Sequence, residues 1–476
     1  MHRSFVTLAA ILLAVPPLTA QSRSADYTAP YQRQALEIYR ETIALRTAKG
    51  QGLVPDLAKR LATRFRDAGF PAADIHVLPL TLPDGEQTAS LVVRYRGDGS
   101  SGLKPVLLTA HMDVVDAKPE DWVRDPFSLT EEDGYFFGRG TTDDKAGVTM
   151  LTTTFLRLRA EGWIPTRDLV IAFTGDEETL MLTTQDLGGT HRDLIDAEYA
   201  LNADAGGGIL DEDGRPLRYL IETSEKTYAT FELTVTNPGG HSSTPRADNA
   251  IYQLADALKR LQAFRFPVET NAATRAYFMA LAPITPGPVG RAMGRLARDP
   301  ADSAAAEILW HEPEQVGITR TTCIATMLRA GHAENALPQS ATATVNCRIF
   351  PGTEVAAVQG TLQRVVADTG VHIVVLDTPL SSPASPIRDD ILGLVRAGVE
   401  RIHPGTPVIP QMAPYATDGK FFRRAGIPTY GIVGLFNKDS DGMAHGLNER
   451  TTVKAFFDAL EFWDVVLRRV GGRPTT

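Results

Sequence analysis

The order of strands and helices changes character twice along this chain, and no other feature limits its folds as much. From about residue 89 to 204, strand-like runs alternate with helical ones. "ASLVVRYRG", "KPVLLTAHMDVV", "DLVIAFTG" and "EYALNAD" are short and apolar, as strands buried in an α/β sheet are. "DKAGVTMLTTTFLRLRAEG" puts Val148, Leu151, Phe155 and Leu158 on one helical face. Upstream, "YQRQALEIYRETIAL" and "VPDLAKRLATRFRDAGF" also have helical spacing. From about residue 226 the order becomes strand, helix, strand, strand, helix, strand, running from "TYATFELTVT" to "VHIVVLD". That is the order of a small ferredoxin-like α+β domain. A partly helical stretch at about 265–320, rich in Pro, Ala and Arg, interrupts it. After about residue 380 the first pattern resumes, with "DILGLVRAGVERI" as a helix and "IPTYGIVGLF" as a strand. The expected architecture is an α/β domain (26–225 and 380–476) with helices on both sheet faces. A ferredoxin-like domain (226–379, with its extra insertion) is set into it.

The N-terminus reads differently. "MHRSFVTLAAILLAVPPLTA" has a basic start at Arg3, an apolar run from Phe5 to Val15 and small residues near Ala20. This is the pattern of a cleaved secretory signal over residues 1–20, with an uncleaved anchor as the alternative. No later stretch approaches the length of a membrane span. The expectation is a soluble protein that is secreted or periplasmic. The net charge of −9 argues against a nucleic-acid partner, which requires a basic footprint.

Export permits a disulfide. The two cysteines, Cys323 and Cys347, lie in the strand-like runs "TTCIATML" and "ATATVNCRIF". If these form a hairpin centred near Asn335, the two residues fall opposite each other. A disulfide and a pair of buried free thiols both fit that reading.

In open α/β sheets, site residues gather just beyond the carboxyl ends of strands. His111 and Asp113 follow one predicted strand, Asp176, Glu177 and Glu178 a second, and Asp204 a third. His445 follows the last strand after a loop, and the turn "GRGTTDDK" adds Asp143 and Asp144. Each group alone has a bland reading: a packed histidine, a helix cap, a solvated acidic loop. Together they place adjacent carboxylates at an apolar sheet edge, where their repulsion and desolvation demand a positive charge. Mixed His and carboxylate ligands suit zinc or a similar divalent ion. There are more acids than one ion needs; two ions sharing an Asp would use them and leave one Glu free as a base.

The motifs "TAHMDVV", "GRGTTDDKAG", "TGDEE", "NADAGG", "NPGGHSSTP", "NALPQSATATVNCRIFPG" and "HGLNE", in this order, resemble the co-catalytic di-zinc peptidases and aminoacylases. That family includes carboxypeptidase G, carboxypeptidase S, carnosine dipeptidases, aminoacylase and succinyl-diaminopimelate desuccinylase. The resemblance implies a zinc-exopeptidase-like catalytic domain, an inserted lid, and two zinc ions per subunit, for which cobalt or manganese could substitute. His111 then matches a first-metal ligand, and Asp113 the carboxylate that orients it. Asp143 matches the bridging ligand, with Lys145 fixing the register and a cis peptide expected between Asp143 and Asp144. Glu177 matches the general base. Asp204 completes the first metal; Glu178 and His445 hold the second. His241 matches a histidine at the reacting carbonyl oxygen, and Arg348 a residue that grips the substrate carboxylate. Asn335, Thr417 and Asp418 match positions near the substrate. The chain departs from many members at Ala146, where they have Gly, and from some at Asp204, where they have Glu.

The implied activity is that of a zinc-dependent exopeptidase, a carboxypeptidase or dipeptidase, on short peptides with a free carboxylate. An N-acyl-amino-acid amidohydrolase shares the chemistry. A non-catalytic metal- or peptide-binding protein is the rival of another class, and Glu177 argues against it, because holding metal does not require that residue. In many members the inserted domains pair into a homodimer, and His241 then serves the partner's site. The insertion at about 265–320 favours action within one chain, or a different dimer.

Overall fold

A computed structural model describes residues 29–376, 379–441 and 443–472. The expected signal over residues 1–20 lies outside these residues. Among them, no helix is long and apolar enough to cross a membrane.

The larger sheet is mixed. Its hydrogen-bonded order runs 75–81, 87–95, 169–174, 106–111, 199–202, 429–431, 216–225, 207–210, 436–438, and the strand Val408–Ala413 pairs with Pro216–Glu225. Its middle is parallel, with Val106–His111 between Leu169–Thr174 and Tyr199–Asn202. Every residue of the first two strands is buried, which explains their continuous apolar runs. The helices Pro30–Ala44, Val54–Asp67, Lys145–Ala160 and Val453–Gly471 bury their apolar faces in the principal core. A thinner layer built on Leu187, Ile195 and Phe422 covers the other face. Helices therefore lie on both faces, as expected.

The expected single strand "IPTYGIVGLF" is two, Thr429–Gly431 and Phe436–Lys438. Between them Gly434 takes φ 83°, a conformation glycine alone adopts readily. The second piece then pairs with Gly207–Leu210 instead of continuing beside Tyr199–Asn202.

The second sheet is antiparallel, in the order Thr322–Ala330, Ser340–Ile349, Thr227–Thr236, Val371–Val375. Helices Ala250–Ala263 and Val355–Val366 cover one face and share a separate core with it. The residues after Phe264 form four helices between 272 and 319. Their core includes Ile409 and takes in Leu220, so they pack on the larger sheet.

Cys323 and Cys347 are directly opposite and form a disulfide, with Cα atoms 4.0 Å apart. It ties the exposed edge strand to its neighbour. Closing a 24-residue separation by the chain-entropy account is worth about 3.5 kcal/mol. Urea unfolding of the oxidised and dithiothreitol-reduced protein should differ by about that amount. Coincident midpoints would contradict it.

Lys226 joins the two sheets, between Pro216–Glu225 and Thr227–Thr236. It is buried, and its Nζ donates to the Arg320 carbonyl at 2.6 Å. Burial, aided by the Arg348 charge, pushes its pKa down to about 7. An unfolded lysine holds its proton to about pH 10. Between these values the unfolded chain binds the extra proton, so stability rises with pH. From pH 7 to 9.5 the gain is about 3 kcal/mol. Lys226→Met should remove it: wild-type stability minus that of the variant should increase over this range in urea melts. A difference independent of pH would count against a buried, titrating ammonium.

Candidate metal centre

The acidic and histidine side chains meet where the parallel strands end. His111 is the last residue of Val106–His111, Asp113 lies two residues on, Glu177 and Glu178 follow Leu169–Thr174, and Asp204 follows Tyr199–Asn202. Asp143 and Asp144 precede the helix Lys145–Ala160, joined by a cis peptide bond. His445 arrives from the loop after Phe436–Lys438, in the left-handed region at φ 62°.

The Asp143 carboxylate stands between two imidazoles. Its Oδ1 is 2.9 Å from His111 Nε2, and its Oδ2 is 3.0 Å from His445 Nε2. His111 Nε2 also lies 3.4 Å from Asp204 Oδ1, and His445 Nε2 lies 3.0 Å from Glu178 Oε1. Two three-residue sets could each hold an ion: His111, Asp143 and Glu178, and His111, Asp144 and Asp204.

The donor chemistry fits a divalent cation. His111 Nδ1 lies 3.0 Å from the Asp113 carbonyl oxygen, which can only accept. With an ion bound, the ring is neutral, carries its proton on Nδ1 and offers its Nε2 lone pair to the ion beside the carboxylate oxygens. Burial would lower the His111 pKa, but the Asp204 charge and contacts with Asp113 and Asp143 raise it well above normal. Hydrogen bonds to Asp143 and Glu178 push His445 up to about 10. Burial would raise Asp143, yet its bonds to the two histidines hold it below the usual carboxylate range. Asp204 is pushed up to about 7, by burial first. Burial, then the Asp204 charge, drives Glu177 well above a normal carboxyl. Carboxyls and imidazoles shifted in one place, Asp204 and Glu177 up, Asp143 down and both histidines up, are the electrostatic pattern of a functional site.

Asp113 meets His111 through its backbone carbonyl, where the resemblance implied its carboxylate, whose Oδ1 is 3.5 Å from Nδ1. Its carbonyl holds His111, while its carboxylate accepts the Glu177 and Glu178 amides at 3.1 and 3.0 Å. Asp176 is spent locally, on the Leu182 and Thr183 amides. Asp144 caps its helix through Gly147 N and accepts the His111 amide.

Thr417 and Asp418 are buried, and their polar atoms are engaged internally. Thr417 gives its N–H and hydroxyl to Glu225, each at 2.8 Å. The Asp418 carboxylate takes the hydroxyls of Thr174 and Thr184. Both hold the floor of the site, where motif position had suggested substrate contact. Their side chains are turned to internal partners.

His241 and Asn335 come together on a separate exposed ribbon, where Gly240–His241 pairs with Ala336–Leu337. The Ser243 N–H donates to His241 Nδ1 at 3.1 Å, so a neutral ring keeps its proton on Nε2. Arg348 lies over the Tyr228 ring, 4.6 Å from its centroid, with Nη1 3.5 Å from the Pro414 carbonyl. Among the described residues, no hydrogen bond or ion pair links these three to the His111–His445 cluster.

Sequence reasoning missed Glu449. This fully buried carboxylate accepts the amides of Gly140, Thr142 and Asp143 at 2.9, 2.7 and 3.1 Å, and pairs with Arg139 at 2.8 Å. Arg139 in turn donates to the Gly446 carbonyl beside His445 at 3.1 Å. The residue stands inside the quoted "HGLNE", but nothing in its spacing indicates a partner 300 residues away.

Comparison with known proteins points the same way. The human N-fatty-acyl-amino acid synthase/hydrolase PM20D1 is 33% identical over 377 residues, 76% of this chain and 73% of that one. A probable carboxypeptidase S-like protein 2 from Dictyostelium discoideum is 29% identical over 391 residues, 79% of this chain and 73% of its own. The M20 family metallo-carboxypeptidase Sso-CP2 of Sulfolobus solfataricus shares the fold, with TM-score 0.67 at 18% identity over 91% of this chain and 98% of that one. The pattern of peptidase family M20/M25/M40 matches residues 107–469, a span that runs from the strand bearing His111 past His445 and Glu449. With its paired-histidine carboxylate centre inside that span, this hydrolase belongs to peptidase family M20/M25/M40.

Proposed function

We propose that this chain hydrolyses the amide bond of an N-acylated amino acid bearing a free carboxylate, using two divalent ions, zinc by preference. The observation that carries the reading is the Asp143 carboxylate shared between His111 and His445, with Glu177 in the field of His111 and Asp204. The similarity to N-fatty-acyl-amino acid hydrolases supports the acyl-amino-acid substrate over a peptide. His111, Asp143 and Asp204 would hold one ion, and Asp143, Glu178 and His445 the other. When bound, the ions supply Lewis acidity at the carbonyl and acidify a water. Glu177 takes the proton of the attacking water and passes it to the leaving amine. Its position is fixed by the bond from its amide to Asp113. His241, with its proton on Nε2, donates to the carbonyl oxygen as negative charge develops there. Arg348 pairs with the carboxylate in the two-pronged geometry guanidinium favours.

For His241 and Arg348 to reach the substrate, the antiparallel sheet with its two helices (226–263 and 322–376), without the helices 272–319 that pack on the larger sheet, must act as a ferredoxin-like lid that closes on it, from the same chain or from a partner copy. The chain is exported, by the reading of its N-terminus. An exopeptidase is the second reading, supported by the carboxypeptidase S-like relative. The test is release of free amino acid by purified, zinc-supplemented protein from N-acyl amino acids and from dipeptides. Faster turnover of acyl amino acids supports the proposal. Faster turnover of dipeptides moves the assignment to the exopeptidase.

A further inference from the structure

Residues 414–418 bridge the metal-type cluster and Arg348, and they are anchored from beneath. Glu225 takes both donors of Thr417 and pairs with buried Arg423, whose Nη1 donates to the Thr429 carbonyl at 3.1 Å. Asp418 is fixed between Thr174 and Thr184. At the other end, the Pro414 carbonyl meets the Arg348 guanidinium at 3.5 Å.

This stretch presents Tyr415, which is 42% exposed. Its hydroxyl points inward, buried in the field of Glu222 and Asp204 and contacted by the Gly206 amide. Gly206 is itself wedged against Gly431, where a Cβ would lie 2.4 Å from the carbonyl oxygen. Among the described residues the Tyr415 ring stacks on no other ring or cation. An aromatic side chain is thus held at its hydroxyl and remains part exposed, near Asp204 and next in the chain to the Pro414 carbonyl that meets Arg348.

A substrate amino acid with its carboxylate on Arg348 and its amide at the cluster must direct its side chain past this ring. We infer that Tyr415 is the specificity-determining wall for the side chain of the released amino acid, favouring aromatic and large aliphatic groups. The inference rests on the acyl-amino-acid reading above, which supplies the substrate's orientation.

The test compares wild type, Tyr415→Phe and Tyr415→Ala, full length and zinc-loaded. The substrates are N-acetyl derivatives of Phe, Leu, Gly and Asp. Tyr415→Ala should lower kcat/KM for the Phe and Leu compounds at least about tenfold, as loss of apolar pocket contact does, and change the Gly compound less than about threefold. Tyr415→Phe keeps the ring face and should keep the Phe-over-Gly preference. An equal fall on all four substrates, or no fall, overturns the inference. Calorimetric binding of free phenylalanine and glycine, run in parallel, separates the two claims. If no acyl amino acid is hydrolysed, the amidohydrolase reading falls. The binding ratio then decides Tyr415: a phenylalanine preference lost in Tyr415→Ala supports it, and an unchanged or absent preference overturns it.

Discussion

Glu177→Gln should lower kcat for amide hydrolysis by about 10³-fold while leaving the metal content and KM nearly unchanged. The expectation follows from what Glu177 touches and what it does not. Both metal-type sets are built without it. Its backbone amide, not its side chain, is tied to Asp113, and Gln preserves that bond and the side-chain volume. Only the ability to accept a proton is lost. Burial and the Asp204 charge already raise its pKa, and cations in the cluster would return it toward neutrality, where a base works best. The measurement is steady-state hydrolysis beside metal analysis of the same preparation. Metal loss with activity loss would make Glu177 a ligand, and a decrease below about tenfold would remove it as the base.

What the sequence made legible follows from where each signal originates. The strands ending at His111 and Thr174 were readable because both faces are buried, so their apolar runs are unbroken. The residues beyond them could then be placed by topology alone. The disulfide needed only antiparallel register, although free thiols fitted the same register. Pro216–Glu225 and Val408–Ala413 were not readable as strands. The first opens on Pro216 and an exposed Leu217, and the second carries Pro410. Thr417 and Asp418 show the limit of motif position: it says nothing of the internal partners that a buried side chain takes. Glu449 shows another: a carboxylate whose work is to accept backbone N–H groups from a distant loop leaves no pattern of its own.

That same work makes Glu449 the residue whose loss should spread furthest. Glu449→Ala removes the acceptor for the Gly140, Thr142 and Asp143 amides and the counter-ion of Arg139, which is 3% exposed. An unpaired buried guanidinium costs about 3–5 kcal/mol. The turn that sets Asp143 between His111 and His445 loses its template, and Arg139 loses the anchor from which it holds the Gly446 carbonyl. Metal affinity should therefore fall about 10- to 100-fold, as it does when a group supporting a ligand is removed. Two measurements separate these effects. Thermal melting in chelator should show the variant less stable than wild type without any metal, which isolates the structural cost. Competition titration of zinc against a chromophoric chelator, at a temperature where both proteins are folded, should show the weaker binding. Glu449→Gln keeps an amide oxygen for the backbone donors but not the charge for Arg139, and should fall between wild type and Glu449→Ala in both. If the Ala variant binds zinc as tightly as wild type, the turn holds Asp143 without Glu449, and the contact across 300 residues serves stability alone.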